Sequence, residues 1–480
     1  MRVTLEFDPV ILNIPEEGLD GKTLEEVFLE TAFRFGRFAM EKFLRQLDGV
    51  LETTRPGGYV KEGTRVKTLS TRLGEIKLQR SYYRRKDGTY YYLLDDFLGW
   101  GKHQRATEGL IYEGMIQSAQ GSYRKASAEL EKQTTAPVSH ECLRSRVKLV
   151  GGKASEVQDA KAKAVFERGV VPEAVSDVAK RLFVEVDGTY ISVRRGGKVK
   201  KKEIKLCILY RGKEPRYANG SGNSFQLKDK YAFGGLYSSK ALWERLSVFG
   251  EERYGLSGAE EIYWAGDGAS WCWSGMGDYP VAVAHLCKYH MNREITKVFG
   301  NGRERSGRLR KLLETGEREK VSKFFSECLG EFSDSRKRKA VLGLARYISE
   351  NWEGIQGWKV VRERLGEGAG LGAIEGNIDK VLASRFKDRG CCWSESGAQA
   401  LAQVRLSWLN GELGQILNGL RLEGRRVEIV TPEEGQGKRR VLRGRAHYYR
   451  LGHLPVIRVG SDVVWQESWK KIQKGGNRVW

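Results

Sequence analysis

The spacing of apolar positions changes several times along the chain, and each change marks an element. Near the start, Leu24, Val27, Phe28 and Phe33 recur at helical spacing among Glu16, Glu17, Glu25, Glu26 and Glu30. This predicts an acidic helical region over 1–54 that packs or dimerises. Residues 55–86 become strand-like, punctuated by Arg65, Lys67, Arg72, Lys77, Arg80, Arg84, Arg85 and Lys86. Within 55–100, GEIKLQRSYYRRKDGTYYYLL predicts a basic hairpin turning at Asp87-Gly88. Its arginines, Arg84 and Arg85 among them, suit a DNA backbone as well as they suit a solvated sheet face.

Residues 104–149 predict three short helices, QRATEGLIYEGMIQSA, SYRKASAELEKQ and SHECLRSRVKLV, with Ser122 and Ser139 as N-caps. The break around Thr134 to Val138 fits a helix-turn-helix over 101–150 that presents His140, Arg144 and Arg146 to a groove, and fits a plain helical bundle equally.

From Arg181 the text is that of buried strands. LFVEVDGTYISV, EIKLCILYRG and KYAFGGLYS are followed by a helix over ALWERLSVF, a strand in EEIYWAGDGASW, a short helix and a strand in VAVAHLCKYH. That order predicts an RNase H-like mixed α/β domain over 175–295 and 371–410. Charged helical text interrupts it as an all-α insertion, 296–370. GEGAGLGAIEG closes the insertion, and a helix begins near Ala373 or Glu375 and runs through IDKVLASRFKD. The remainder, 411–480, reads as a basic, β-prone region. The expected fold class is therefore multidomain α+β, with a helical and β N-terminal DNA-binding region.

Charge narrows the choice of partner. Lys and Arg number 83 against 61 Asp and Glu, a formal net charge of +22 with a pI near 9.6. A polyanion, above all nucleic acid, is the partner such a charge favours. No stretch reaches the roughly 18–20 apolar residues of a membrane span, and the first residues lack a signal peptide's basic start. Seven cysteines, an odd and scattered set, argue against a disulfide framework. These features predict a cytoplasmic, nucleoid-associated protein without a membrane partner.

The candidate chemistry rests on carboxylates. Asp187 in FVEVDGTY and Asp267 in YWAGDGASW each end an apolar run before glycine. Such an Asp-Gly is commonly a turn, but on neighbouring strands the two carboxylates would meet and invite a divalent cation. Glu375, on the helix after the insertion, is the candidate third acid. Glu185, two residues before Asp187 and on the same strand face, is a supporting candidate, with Asp278 and Asp379 as other acids in range. Cys287 and His290 have the spacing of half a zinc site, but no second pair stands near, so zinc is not expected. Trp393 in CCWSESG, with Trp264, Trp271 and Trp273, would stack on a distorted DNA end or pack in a core.

VEVDGTYI, GDGASW, Cys287-Lys-Tyr-His290 and GAIEGNIDKVLASRFKDRGCCWS, in that order, resemble the DDE transposases of bacterial insertion sequences, Mutator-like superfamily, ISLre-type group. The resemblance covers residues from about 65 to 410. It implies that Asp187, Asp267 and Glu375 are catalytic metal ligands for two Mg²⁺ (or Mn²⁺) ions. It also implies that Cys287 and His290 lie close to the active site, and Trp393 is taken as a further accessory residue. The expected activity is two-metal phosphodiester hydrolysis and strand transfer on the terminal inverted repeats, the ions about 3.5–4 Å apart. Double-stranded DNA, as transposon ends and target, is the expected partner, with a homodimer or larger assembly holding two ends. The rivals are an RNase H-like nuclease that does not join ends and a DNA-binding descendant without catalysis.

Overall fold

A computed structural model describes residues 20–101, 103–172, 177–216, 225–302, 304–366, 371–387 and 390–423. Glu16, Glu17 and the basic stretch beyond residue 423 lie outside the described residues. The fold is multidomain α+β and divides into two compact units, Met1–Val147 with Gly411–Trp480, and Lys148–Asn410. Among the described residues, no helix is long and apolar enough to cross a membrane.

In the first unit, α1 (Gly21–Thr53) begins where Asp20 accepts a hydrogen bond from the Thr23 amide at 2.7 Å. Its later turns bury Leu44 and Leu47 against Leu69, Ile76, Leu78 and Leu94. β1 (Val60–Thr71) and β2 (Gly74–Arg84) form the main antiparallel hairpin, with Gly74 at φ +107° in its turn. The hairpin expected at Asp87-Gly88 is present but brief. β2 pairs there with only the two residues of β3 (Tyr90–Tyr91), because Leu93 already opens α2 (Leu93–Leu98). Beneath the hairpin, buried Asp95 lies 3.0 Å from Lys67 and 2.7 Å from Arg80. Asp48 accepts a hydrogen bond from the Ser81 amide at 2.8 Å.

Three helices follow, α3 (Glu108–Gln120), α4 (Tyr123–Thr134) and α5 (His140–Phe166). Ser122 and Ser139 cap α4 and α5 by accepting from the Lys125 and Cys142 amides, both at 3.2 Å. The third helix is not short. α5 runs straight through the boundary expected at residue 150, because Gly151 serves packing rather than termination. A Cβ there would lie 2.0 Å from the Ala400 carbonyl oxygen, a separation only glycine permits.

The second unit holds β4 (Arg181–Arg195), β5 (Lys198–Tyr210), a small unanticipated ribbon of β6 (Gly212–Pro215) and β7 (Phe225–Lys228), then β8 (Tyr231–Gly235), α6 (Ser239–Tyr254), β9 (Glu261–Gly266), α7 (Ser270–Trp273) and β10 (Ala282–Leu286). The main sheet has the order β10-β9-β4-β5-β8. β4, β5 and β8 pair antiparallel, whereas β9 and β10 run parallel to β4. Strand alternation puts Val184, Val186, Cys207, Leu209 and Trp264 on one face, packed with Leu242 and Leu246 of α6. Trp264 and Trp271 belong to this core. The basic stretch RRGGKVKK, residues 194–201, forms the exposed tip of the β4–β5 hairpin, turning at Gly196-Gly197.

The charged helical text forms α8 (Lys288–Phe299), α9 (Glu304–Thr315), α10 (Arg318–Glu331), α11 (Ser335–Glu350) and α12 (Trp352–Leu365). They share a core that includes Leu309, Leu313, Phe324, Val341, Leu344 and Trp358. α12 lies against the outer edge of β10. Trp358 Nε1 donates to the Leu286 carbonyl at 2.7 Å, and a Cβ on Gly357 would fall 1.7 Å from the Ala284 carbonyl oxygen. The chain returns as α13 (Ala373–Asn377), a π-helical turn (Ile378–Ala383), α14 (Ser384–Phe386) and α15 (Glu395–Leu409), and ends its described part with α16 (Leu413–Glu423).

Candidate active site

Strand register brings the two aspartates together. Glu185 of β4 stands opposite Ala265 of β9 in parallel pairing, so two residues further Asp187 and Asp267 leave adjacent strands at the same level. Asp187 does not end its strand. β4 continues to Arg195, with Asp187 opposite Leu206 and Gly188 opposite Lys205. Gly188 is glycine because a Cβ there would lie 2.5 Å from Glu203 Oε1, not because the chain turns. Asp267 does follow its strand, and its Oδ1 accepts from the Ala269 amide at 2.9 Å and from the Cys272 thiol at 3.2 Å.

β10 continues the same level. Leu286 pairs with Gly266, and the Cys287 amide donates to the Gly266 carbonyl at 2.8 Å. Cys287 thus sits beside Asp267, and α8 starting at Lys288 turns His290 back toward the strand ends. The Cys287 thiol donates to Glu375 Oε1 at 3.2 Å. His290 Nδ1 lies 2.8 Å from the same oxygen, close but without hydrogen-bond alignment. The ligand atoms of Asp187, Asp267 and His290 lie within 4.8 Å of one another, as do those of Cys287, His290 and Glu375. All three expected carboxylates and two of the three expected accessory residues, Cys287 and His290, therefore share one cluster, with His290 common to its two halves.

Glu375 reaches the cluster through Glu185. This carboxylate is fully buried. Its Oε2 accepts from the Gly372 and Ile374 amides, both at 3.0 Å, and its Oε1 accepts from the Tyr210 hydroxyl. β4 so holds the first turn of α13, with Glu375 on it. A second tie comes from the insertion, where the Tyr347 hydroxyl of α11 donates to the Asp267 carbonyl at 2.6 Å and Asn351 accepts from Trp273 Nε1 at 2.9 Å. The close-packed Gly268, at φ +95°, would bring a Cβ within 2.8 Å of the Tyr347 ring.

The electrostatics of the cluster call for a cation. Burial, with Asp267 and Glu375 adding repulsion, pushes the Asp187 carboxyl up to about 7 despite the opposing pull of His290. Burial alone would lower His290, but its contacts with Cys287 and Glu375 and the charge of Asp187 raise it to about 10. Burial alone would raise Glu375, yet His290, Cys287 and the charge of Arg293 hold it below the usual carboxylate range. Burial raises Glu185 against the hydrogen bonds it accepts. Asp187, Asp267 and Glu375 gathered in this way form an oxygen donor set that fits a divalent cation such as Mg²⁺ or Mn²⁺, beside a protonated imidazole.

Other expected residues lie elsewhere. Trp393 is not beside the carboxylates. It bridges Val193, six residues along β4 from Asp187, which is about 20 Å at the usual strand rise, and its Nε1 donates to the Phe386 carbonyl at 3.0 Å. Asp278 lines a small hollow with Trp243 and Trp264, and Asp379 is exposed on the π-helical turn; neither joins the cluster. In the first unit, His140 is exposed, Arg146 half-buried, and Arg144 paired with Glu141 at 2.8 Å. Arg84 pairs with Glu62 at 2.6 Å, and Arg85 stacks over Tyr59 and Tyr91. The roles of Tyr347, Asn351 and the glycines of α12 were not anticipated. The signal available was the Gly354 and Gly357 pair three residues apart, which marks a helix face that another backbone approaches closely.

The model of an uncharacterised protein family, UPF0236, matches residues 14–418. A UPF0236 protein of Caldanaerobacter subterraneus subsp. tengcongensis is 27% identical over 416 residues, 85% of this chain and 82% of the relative. Another from the same organism is 26% identical over 421 residues, 86% of this chain and 82% of that relative. A UPF0236 protein from a vanSb 3′ region of Streptococcus gallolyticus is 22% identical over 362 residues, 74% of this chain and 76% of its own length.

Proposed function

The chain belongs to the UPF0236 family, and we propose that it is a DDE-type DNA transposase, cutting and joining the ends of its own insertion sequence at Asp187, Asp267 and Glu375. The observation that carries this reading is the register that puts Asp187 and Asp267 side by side, with Glu375 delivered to them by a helix tied to the same strand. A sheet of order β8-β5-β4-β9-β10, antiparallel through β4 and parallel beyond it, supports an RNase H-like domain. The net charge of +22 supports a nucleic-acid substrate. The name of one relative joins eleven designations within one organism, as a gene copied about a genome would.

Two Mg²⁺ or Mn²⁺ ions, held by the three carboxylates, would supply Lewis-acid activation of the attacking and leaving oxygens. The side chains do the positioning. Glu185 holds Glu375 at the height of Asp187, and Tyr347 fixes the backbone that carries Asp267. His290 adds positive charge where the scissile phosphate gains negative charge. In the first reaction, water's oxygen joins the phosphorus at the transposon end and the 3′ oxygen leaves as a hydroxyl. That hydroxyl then attacks a target phosphodiester, releasing a 3′ oxygen of the target, with no covalent link to the protein. Joining needs two ends at once, so the reading includes a homodimer or larger assembly on DNA.

The test is cleavage and strand transfer of labelled DNA carrying the inverted repeats that flank the gene, with Mg²⁺ or Mn²⁺. The comparison is wild type against Asp187→Ala, Asp267→Ala and Glu375→Gln. Loss of both steps in every variant, with DNA binding retained, is the expected result. Full activity in any one variant removes that residue from the triad. Cleavage without joining by wild type identifies a nuclease instead.

A further inference from the structure

Directly beyond His290, α8 and α9 enclose an open groove of about 550 Å³, a volume in the range of small-ligand sites. Its α8 wall carries Tyr289, Arg293, Thr296 and Lys297, spaced four, seven and eight residues from the first and hence on one helix face. From α9, Arg310 donates to Asn292 Oδ1 at 2.9 Å and to Thr296 Oγ1 at 3.0 Å, fixing both polar side chains. Glu294 lies 2.6 Å from Lys297 and 3.5 Å from Arg293, but the groove lining itself holds Arg293, Lys297 and Arg310 and no acid. Tyr289 is 58% exposed, yet its ring stands edge-on to that of buried His290 at 5.5 Å. A large exposed aromatic braced by a catalytic side chain, next to a row of cations, is what a nucleic-acid strand needs: a ring to stack a base and charges to track the phosphates.

We propose that this groove binds the unpaired nucleotides adjoining the scissile phosphate, with Tyr289 stacking the first base and Arg293, Lys297 and Arg310 contacting the backbone beyond it. The inference rests on the transposase reading and adds to it a single-stranded DNA subsite. From Tyr289 to Lys297 the helix rises about 12 Å, the length of roughly three stacked nucleotides. Stacking on a ring is indifferent to base identity, so the subsite recognises strand opening rather than sequence. Because Tyr289 adjoins His290, a strand unpaired beside the cut reaches the ring while a phosphate occupies the carboxylate cluster.

The test uses the full chain and a labelled random-sequence duplex, either blunt or carrying a short oligothymidine overhang, with Ca²⁺ present so that affinity is read without turnover. Wild type is expected to bind the overhung duplex about tenfold more tightly than the blunt one. Tyr289→Ala and the pair Arg293→Ala with Lys297→Ala should each abolish that preference and leave blunt-duplex affinity within about twofold, while Tyr289→Phe keeps the preference. No preference in wild type, or one that survives both groove variants, overturns the inference. Asp187→Ala separates the two readings, since it should lose cleavage yet keep the overhang preference. A wild type that cleaves without preferring the overhang leaves the transposase reading standing and removes the subsite.

Discussion

Asp95 in the first unit and Asp187 in the second are both aspartates buried next to a strand, and their surroundings differ in sign. Asp95 lies between Lys67 and Arg80, so its charge is answered within the fold even though burial alone pushes its carboxyl up. Asp187 faces two further acids and one imidazole and is driven to about 7. A buried acid that has found its cations holds a structure together. One left among other acids works against folding unless something else brings positive charge, and such groups gather at functional sites.

The sharpest way to break this contrast is to remove each acid in turn. Asp187→Ala should cut cleavage and joining by at least about a thousandfold, while a thermal melt without divalent cation shows no loss of stability. A lower melting point would mean that Asp187 is structural after all. Asp95→Ala should do the reverse, destabilising the fold by about 3–5 kcal/mol because Lys67 and Arg80 are left buried without the carboxylate that answers their charge. Urea unfolding reads this directly, and an unmoved midpoint would make the network decorative.

A smaller effect should come from Glu185, which belongs to neither type. Glu185→Ala should lower turnover about 10- to 100-fold with DNA affinity kept, and Glu185→Gln should recover most of it, since an amide oxygen can still accept from Gly372 and Ile374. If the glutamine variant is as poor as the alanine one, charge rather than shape is what Glu185 supplies.

The smallest effect is a slope. Asp187 and His290 both titrate above their unfolded values, so between about pH 4 and 7 the native aspartate, and from the ordinary imidazole range up to about 10 the native histidine, hold protons that the unfolded chain has released. Stability of the cation-free protein should therefore fall as pH rises across that window, by about 1.4 kcal/mol per pH unit at most for each group. Added Mn²⁺ should flatten the fall in wild type and leave Asp187→Ala unchanged.

Much of this was written in the sequence. Five of the strands between Arg181 and Leu286 were legible because apolar runs bounded by turn residues leave few alternatives, whereas the short, mostly exposed β6–β7 ribbon carries no such run. What misled were glycines read locally. Asp187-Gly188 has turn chemistry but lies mid-strand under Glu203, and Gly151, just past the expected end of the third helix, admits the backbone of α15. Trp393 was misplaced for a related reason. Proximity in sequence to the Glu375 helix says nothing of the π-helical turn and α14 that carry the chain away along β4. Glu185 was placed on the correct face by alternation, but its hold on α13 depends on residues 372 and 374, far along the chain.

One consequence concerns the edge strand β10. A strand at the border of a sheet offers unpaired carbonyl and amide groups to any other strand that drifts by, and chains that leave such a border bare tend to join one another through it. Here the Ala284 and Leu286 carbonyls point at α12, where Gly357 lets the helix backbone close over the first and Trp358 hydrogen-bonds the second. Residues 296–370 look in the sequence like an interruption that could be trimmed away. Physically they include the sheet's guard against self-aggregation, and a shortened protein lacking α12 should clump through β10 before its chemistry could be assayed.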